Sequence, residues 1–331
     1  HRKNLISQVE RMLNPVTGCV HPDIKVWGTE TGRLAVSNPP LHGMPSSGQW
    51  AKVVRSMFQA PDGWLLLGAD FSQIELRLIG WKANCKALLG AYAKGLDMHS
   101  YTASLLFNLD IEKLDKKKYP ENSWMRQIGK TANFAWCYCG SPQVVIPLLG
   151  NALVPDEIIR EKFGADPKDK MKVRVPQEDL LNYAVLYHRK YFEVFPELVT
   201  WKNREVAAAR SKGYAISPYG RVRYLPEIRD PNDRVRGHAE NQAVNHGIQS
   251  AASDYLLFRF QDIVRECRGH GLQVKPLLSI HDAMYMLIRD SDKEVVEDIV
   301  RTVGIRKDAA DFGVPMVLEP KCGKGFDDFV E

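Results

Sequence analysis

Two apolar runs with strand character each end in an aspartate. Residues 65–69 lead into Asp70, and residues 277–280 lead into His281 and Asp282. We predict that both runs are strands which bring a carboxylate to the open end of a sheet. Such a carboxylate is costly unless a cation lies beside it, and two of them together repel each other. Divalent ions remove that repulsion, so the pattern indicates a magnesium site of the kind used in phosphoryl transfer.

Each aspartate also has a simpler interpretation. Asp70 precedes a predicted helix and belongs to a residue type that caps helix N-termini, and Asp282 suits the corner of a hairpin. Neither residue alone indicates a metal site, so the interpretation depends on a third segment that lies between them.

That segment, residues 126–138, carries two cations, an aromatic ring and a phenol at intervals of four: Arg126, Lys130, Phe134 and Tyr138. On an α-helix these residues form a stripe along one face, and each member is displaced slightly around the helix axis from the one before. The stripe suits a surface that binds a triphosphate at one end and stacks on a base at the other. The alternative is an ordinary surface helix, with its aromatic side chains packed inward and its charges solvated.

The rest of the pattern predicts a helix-rich middle between two sheet-forming ends. Residues 1–96 give an irregular lead-in, the first carboxylate strand and a helix that ends near Trp81, and residues 97–230 are mostly helical. Segments 109–122 and 151–177 are charged or proline-containing enough to be loops or insertions. Residues 231–331 return to the sheet through a long helix near residues 239–263 and a hairpin around Asp282.

Composition agrees with a mildly basic enzyme. The chain has 331 residues, 44% of them hydrophobic, and 45 Lys and Arg against 40 Asp and Glu, which gives a formal charge of +5. That charge is enough for a positive cleft. The six cysteines show no metal or disulfide spacing, so we expect reduced thiols in a cytoplasmic enzyme. We find neither a secretory signal nor a stretch of about 18 apolar residues.

In this order, the three segments resemble motifs A, B and C of the family A (DNA polymerase I-like) DNA polymerases. Residues 70–77, Asp-Phe-Ser-Gln-Ile-Glu-Leu-Arg, match the first motif throughout. Further segments that resemble the family are residues 31–34 (Thr-Gly-Arg-Leu), 97–99 (Asp-Met-His), 219–226 (Tyr-Gly-Arg-Val-Arg-Tyr-Leu-Pro) and 245–249 (Asn-His-Gly-Ile-Gln). The resemblance extends from about Gly18 to Phe326.

The chain departs from the family pattern at several positions. Ala283 follows the third motif where the family usually has Glu, which removes an acidic neighbour of the metals. Ala135 and Cys139 stand where the helix of the second motif usually has glycines. The usual Gln-Asn pair is replaced by His42 and Gly43, and Asn241 stands in place of an Arg, so the chain departs from the family at positions that concern minor-groove contacts.

The resemblance implies an α+β fold. Its palm is an antiparallel sheet with helices, formed by residues 1–96 and 231–331, and a helical fingers subdomain, residues 97–230, is inserted between these parts. No thumb or exonuclease domain is expected within this chain, because only about thirty residues precede Thr31. We therefore expect a fragment, or one chain of a split replicative or repair polymerase, with a second polypeptide supplying those domains.

The implied activity is two-metal addition of dNTPs to the primer 3′ end of primer-template DNA. Two Mg²⁺ ions, for which Mn²⁺ can substitute, would be held by Asp70, Asp282 and the carbonyl of Phe71. The implied nucleotide-binding residues are Gln73, Glu75, His99, Arg126, Lys130, Phe134 and Tyr138. The implied DNA-binding residues are Arg33, Arg55, Arg221, Asn245, Gln249 and His281.

Within these sets the resemblance assigns individual tasks. Arg126 and Lys130 would neutralise the β- and γ-phosphates, with His99 in support. Phe134 would stack on the incoming nucleotide, and Glu75 would be the barrier to a ribose 2′-hydroxyl.

Three other functions remain open from the sequence. A single-subunit RNA polymerase shares the palm chemistry, but the bulk of Glu75 argues against it. A degenerate DNA-binding subunit has no need for Asp70, Asp282, Arg126 and Lys130 together. A metal-dependent nuclease has no use for the phosphate-binding helix.

Overall fold

The structure, a computed structural model, describes residues 2–45, 49–115, 117–149, 177–305 and 312–330. The helices of this part are α1 (Arg2–Met12), α2 (Ala51–Arg55), α3 (Ile74–Ala83), α4 (Lys86–Ala93), α5 (Met98–Phe107), α6 (Ser123–Ala135), α7 (Ile146–Leu149), α8 (Gln177–Val194), α9 (Pro196–Lys212), α10 (Asp233–Gly269) and α11 (Lys293–Val303). The strands are β1 (Asp23–Lys25), β2 (Ala35–Ser37), β3 (Trp64–Phe71), β4 (Tyr214–Ile216), β5 (Val222–Tyr224), β6 (Val274–Ile280), β7 (Ala283–Arg289) and β8 (Leu318–Gly323).

The chain divides into two compact units. The sheet unit comprises residues 1–75, 216–223 and 246–331, and the helical unit comprises residues 76–215 and 224–245. These bounds follow backbone packing and differ from the predicted divisions at 96/97 and 230/231. The functional division into palm and fingers stays a prediction.

A four-stranded antiparallel sheet forms the centre of the sheet unit, in the order β6-β7-β3-β8. Strand β3 pairs with β7 on one side and with β8 on the other, and the hairpin of β6 and β7 completes the sheet. The predicted runs at residues 65–69 and 277–280 both lie in these strands, and β3 is buried along most of its length. Near-continuous apolar sequence therefore reflects a strand that is covered on both faces.

Each face of this sheet has its own apolar layer. On one face, Leu66, Tyr285 and Phe326 pack with buried residues of the N-terminal segment such as Val36 and Leu41. On the other face, α11 packs against β7 and β8. The ring of Phe71 contacts that of Tyr255 on α10, with the centroids 5.3 Å apart. These two layers hold the ends of β3 and β7 in fixed register.

The helical unit is built around the contact between α5 and α6. Gly129 on α6 allows this contact, because a Cβ there would collide with the backbone carbonyl of His99. Helix α8 packs against α5 and contributes Tyr191, whose ring is fully buried. Close approach of α5 and α6 brings His99 beside Phe134, with ring centroids 5.6 Å apart.

Several predicted elements are confirmed and one is corrected. The helix expected to end near Trp81 is α3, the long helix predicted near residues 239–263 is α10, and the hairpin around Asp282 is present. Segment 109–122 contains two short 3₁₀ turns, and nearly all of segment 151–177 lies outside the described residues.

The correction concerns α6, which was expected to carry all four residues from Arg126 to Tyr138. The helix ends at Ala135, and Tyr138 follows it in a turn. Cys139 adopts a left-handed φ of +63°, and the Gly140 amide donates to the Ala135 carbonyl at 2.7 Å. This hydrogen bond closes the helix in the manner of a Schellman motif and prevents its continuation. Arg126, Lys130 and Phe134 therefore share the helix, and Tyr138 does not.

Candidate active site

Asp70 and Asp282 lie at the same edge of the sheet. Asp70 is the penultimate residue of β3 and stands opposite Ala283, the first residue of β7. Asp282 precedes Ala283 in the two-residue turn of the hairpin, and its carbonyl accepts a hydrogen bond from the Phe71 amide at 3.2 Å. Asp70 is thus a strand residue rather than the cap of α3, whereas Asp282 is indeed at the hairpin corner. The sheet brings the two backbones together, as the sequence predicts.

Arg33 joins this edge to the start of α3. Its Nη2 lies 2.5 Å from Oε1 of Glu75 and 3.3 Å from Oδ1 of Asp282. Asp282 keeps a third of its side chain exposed. The guanidinium therefore offsets the charge of one predicted metal ligand while it also holds Glu75, the predicted sugar barrier.

Gly32 allows Arg33 to reach this position. It has a φ of +78°, and a Cβ there would lie 2.5 Å from Cζ of Arg221. Arg221 in turn pairs with Asp254 at 2.7 Å. The Thr-Gly-Arg and Gly-Arg-x-Arg segments are thus packed against each other, and Arg221 is engaged by a carboxylate of its own unit.

A third carboxylate, which the sequence analysis does not single out, lies beside Asp70 on the neighbouring strand. Glu319 on β8 is directly opposite Asp70 on the side away from Ala283. Residues opposite each other in an antiparallel pair point to the same face. The family's usual Glu at position 283 is absent, and Glu319 is the acidic cross-strand neighbour of Asp70. No sequence motif marks it, because the pairing of β3 with β8 is not visible in the sequence.

His281 and His42 form a pair at the hairpin tip. Nε2 of His42 lies 2.7 Å from the Ser279 carbonyl, so it must be the donor, and the two rings stack with centroids 6.4 Å apart. Burial lowers the pKa of His42, and His281 lowers it further. With Arg33, they help to line a cavity of about 140 Å³. His281 itself is exposed with a φ of +53°.

Arg55 has a different environment from the one its predicted role requires. It is buried and donates to the Pro45 carbonyl at 2.8 Å, and it also hydrogen-bonds Tyr285. This burial disfavours a direct contact with DNA and indicates a role in holding the N-terminal segment against the sheet.

In the helical unit, the outer face of α6 carries the predicted nucleotide-binding residues. Lys130 is exposed, and Phe134 keeps 41% of its surface accessible, whereas Ile128 and Ala132 on the opposite face are buried. The aromatic ring therefore does not pack inward as the alternative interpretation required. Phe134 is thus an exposed apolar ring one turn from Lys130, which forms no ion pair with the residues that the structure describes.

Arg126 is held by Asp97. Its Nε and Nη2 donate to the two carboxylate oxygens at 2.9 and 3.1 Å. Asp97 also caps α5 by accepting from the Ser100 amide and hydroxyl at 2.9 and 2.7 Å. Burial alone would raise the pKa of Asp97, but these hydrogen bonds hold it below its ordinary value. The Asp-Met-His segment thus supplies a counter-ion that the sequence did not assign.

His99 is buried next to these residues. Burial lowers its pKa to about 4, and the positive charges of Arg126 and Lys130 act in the same direction, although Asp97 opposes them. The ring is therefore neutral near pH 7, so it can offer a hydrogen bond to a phosphate but no charge.

The remaining predicted residues have simpler placements. Asn245 and Gln249 lie one turn apart on α10, and the side-chain oxygen of Asn245 is buried with no hydrogen-bond partner among the residues that the structure describes. Gln73 has a φ of +55° at the turn between β3 and α3, and Tyr138 is partly buried. None of the described helices is long and apolar enough to cross a membrane, and all six cysteines are free thiols.

Comparison with known proteins agrees with this arrangement. The model of DNA polymerase family A matches residues 1–150 and 180–328, which is most of the chain. The chain belongs to DNA polymerase family A. The row of motifs from Thr31 to Asp282 is therefore that of a family A polymerase domain.

Curated relatives show how much of such a protein the chain covers. It is 30% identical to DNA polymerase I of Caldicellulosiruptor bescii over 94% of this chain and 32% of that protein. It is 28% identical to DNA polymerase I of Pseudomonas aeruginosa over 97% of this chain and 31% of that one. The chain thus spans about a third of the length of these relatives.

A solved structure shares the fold. The POL domain of Pol1 from M. smegmatis, in complex with DNA primer-template and dNTP, superposes with a TM-score of 0.80 at 23% identity, over 98% of this chain and 51% of that chain. The predicted α+β class, an antiparallel sheet combined with helices, is confirmed.

Proposed function

We propose that this chain catalyses template-directed DNA synthesis, in which a dNTP is added to the primer 3′ end and pyrophosphate is released. The observation that carries the proposal is the pair Asp70 and Asp282: Asp70 on β3 and Asp282 in the adjoining turn between β6 and β7 lie at one edge of the sheet. Membership of DNA polymerase family A supports it.

The donor atoms at this edge fit Mg²⁺. Carboxylate and carbonyl oxygens are hard ligands, and Mg²⁺ commonly takes one or two protein carboxylates and completes its shell with water and substrate phosphates. Among the residues that the structure describes, no group of three or more His, Cys, Asp or Glu is arranged to hold a metal ion. Asp70, Asp282 and the Phe71 carbonyl would hold two ions, and Mn²⁺ can substitute.

Bound there, the ions supply a lowered pKa at the primer 3′-hydroxyl and charge stabilisation at the leaving pyrophosphate. Asp282 would leave Arg33 in part when it binds metal, since the 3.3 Å contact occupies one of its carboxylate oxygens. Arg33 keeps its shorter contact with Glu75, so the side chain stays in place.

The outer face of α6 would bind the triphosphate. Lys130 offers an exposed positive charge, and Arg126 offers a guanidinium oriented by the two hydrogen bonds that it donates to Asp97. Phe134 presents an exposed ring for stacking on the nucleotide, and Tyr138 follows it in the turn.

Glu75 would select deoxyribose. Its carboxylate is held by Arg33 at 2.5 Å and is largely buried, so it has little freedom to move away from an added hydroxyl. Gln73 precedes it in the turn and would contact the nucleotide.

For primer-template DNA, we propose contacts from Arg33, Asn245, Gln249 and His281, with His42 beside the last. Arg221 and Arg55 would act mainly by holding the segments that carry these residues, because both are already engaged. A formal charge of +5 gives modest non-specific attraction, which falls with salt. We propose that polypeptide outside these residues, on the same or a second chain, supplies the thumb and the exonuclease.

The test is extension of a labelled primer by the purified chain, on two templates that differ in the next base. We expect only the complementary dNTP to be added on each template, with Mg²⁺ or Mn²⁺ and not with EDTA. Addition that ignores the template, or synthesis with EDTA, would contradict the proposal.

A matched pair of variants tests the triphosphate site. Lys130→Gln should raise the KM for dNTP, whereas Lys117→Gln removes another exposed lysine, which lies in a loop, and should leave KM unchanged. Equal effects of the two changes would show that the charge of α6 has no special role.

A further inference from the structure

A buried hydrogen-bond network surrounds the side chain of Asn133 on α6. The Thr102 hydroxyl donates to Oδ1 of Asn133 at 2.9 Å, and the Tyr191 hydroxyl donates to the same oxygen at 3.3 Å. Sγ of Cys137 lies 3.0 Å from the Tyr191 hydroxyl. We call these four residues the Asn133 network; all of them are buried within the helical unit.

The network fixes which way the amide faces. Nδ2 of Asn133 lies 3.3 Å from the Met98 carbonyl, which can only accept, so this side of the amide must be the nitrogen. The hydroxyls of Thr102 and Tyr191 both donate to Oδ1 on the other side of the amide. Because Tyr191 donates its only proton to Asn133, its oxygen is left to accept from the thiol of Cys137. Burial raises the pKa of that thiol to about 11, so the proton is present.

This orientation decides the protonation of His99. Nδ2 of Asn133 also lies 3.4 Å from Nδ1 of His99, and an amide nitrogen only donates. Nδ1 must therefore accept, and in a neutral ring the proton is then on Nε2. Burial holds the ring neutral, with a pKa of about 4.

We propose that Asn133 is a positioning residue that locks His99 in the Nε2–H tautomer, so that its one ring donor serves an oxygen of the bound triphosphate. The ligand in this statement rests on the proposed function, whereas the tautomer does not. His99 then contributes a directed hydrogen bond and not a charge, and the charge comes from Arg126 and Lys130. The sequence instead predicts that His99 helps Arg126 and Lys130 neutralise the phosphate charge.

The tautomer can be read directly. The full chain, labelled with ¹⁵N-histidine, gives long-range ¹H–¹⁵N correlations that separate the two ring nitrogens, and His99→Gln identifies the His99 signals. We expect a protonated Nε2 and an unprotonated Nδ1 at pH 7. A proton on Nδ1, an even mixture, or a doubly protonated ring would overturn the proposal.

Two variants test whether Asn133 is responsible. Asn133→Asp places an acceptor beside Nδ1, so we expect a proton there and a pKa raised by about one unit or more. Asn203→Asp adds the same charge at an exposed position of α9 and should leave the His99 signals as they are.

Thr102→Val keeps the proposal testable if Asn133→Asp does not fold. It removes the shorter of the two bonds to Oδ1 and should let the amide reverse in part, which would give a detectable Nδ1–H population. An unchanged tautomer in every folded variant would overturn the role of Asn133.

Titration with a dNTP and Mg²⁺ tests the ligand. We expect the Nε2–H signal of His99 to shift on binding, and an unmoved signal in a chain that extends primers would overturn the donor role. A fixed Nε2–H tautomer in a chain without polymerase activity would support the locking by Asn133 and contradict the proposed function. An active polymerase in which His99 has the Nδ1–H tautomer would support the proposed function and contradict the locking by Asn133.

Discussion

Gly32→Ala tests how the segment before Arg33 is held. Gly32 has a φ of +78°, and the three atoms nearest to an added Cβ all belong to the guanidinium of Arg221, at 2.5 to 2.7 Å. Real Cβ atoms do not approach so closely, so the guanidinium must move. It has room to do so, since 38% of the side chain is exposed. Its partner Asp254, only 9% exposed, would then lose the 2.7 Å ion pair.

Two terms set the size of the effect. A left-handed backbone costs an L-residue about 1–2 kcal/mol. Leaving a buried hydrogen-bonding group unsatisfied costs about 1–3 kcal/mol, more where it is charged. We therefore expect Gly32→Ala to lower the free energy of unfolding by about 2–5 kcal/mol, which is a large part of the stability of a typical domain.

The measurement is urea unfolding, with Gly18→Ala as the matched control. Gly18 has a φ of +64° but nothing within 4 Å of its added Cβ, so it incurs only the backbone cost. The difference between the two variants is the cost of displacing Arg221. In an Arg221→Met background, Gly32→Ala should cost no more than Gly18→Ala. Equal destabilisation by both alanines in the unaltered protein would refute the reasoning.

Cys139→Gly should raise the free energy of unfolding by about 1 kcal/mol, since the φ of +63° at Cys139 is strained for any L-residue; an unchanged or lower urea midpoint would contradict this. Burial depresses the pKa of His99 in the folded chain from 6.5 to about 4, so between these pH values the unfolded chain binds a proton that the folded chain does not. The free energy of unfolding should therefore be fully retained above pH 6.5 and decrease as the pH falls towards 4. His99→Gln should remove this part of the pH dependence of urea unfolding, and the same slope in both proteins would argue against it. Glu75→Ala should increase ribonucleotide relative to deoxyribonucleotide incorporation, and an unchanged ratio would place the sugar barrier elsewhere.

The sequence predicts the sheet edge well because the signal there is local. Apolar runs of strand length that end at Asp70 and Asp282 specify both the strands and the position of the carboxylates. The long helix α10 was also predicted, near residues 239–263, and it extends beyond them from Asp233 to Gly269. Confirmation of the family adds the motif order but not the roles of single residues.

What the sequence could not predict depends on contacts between distant segments. The pairing of Arg33 with Asp282 spans 249 positions, and the place of Glu319 opposite Asp70 depends on strand pairing. The end of α6 was misjudged because periodicity continues to Tyr138, whereas a left-handed residue at Cys139 ends the helix. A residue with positive φ other than glycine or asparagine gives little warning in the sequence.

The central claim is that Asp70 and Asp282 act together as the metal-binding pair of a DNA polymerase. Its most direct test is the rate of single-nucleotide incorporation by Asp70→Asn, Asp282→Asn and the double variant, with Asp290→Asn as control. Asp290 pairs with Lys324 at the far end of β7. We predict a loss of about a hundredfold or more in each single variant, a loss in the double that is no larger than in the singles, and a control within about twofold of the wild type. Incorporation above about a hundredth of the wild-type rate in either single variant, or losses that multiply in the double, would contradict the account.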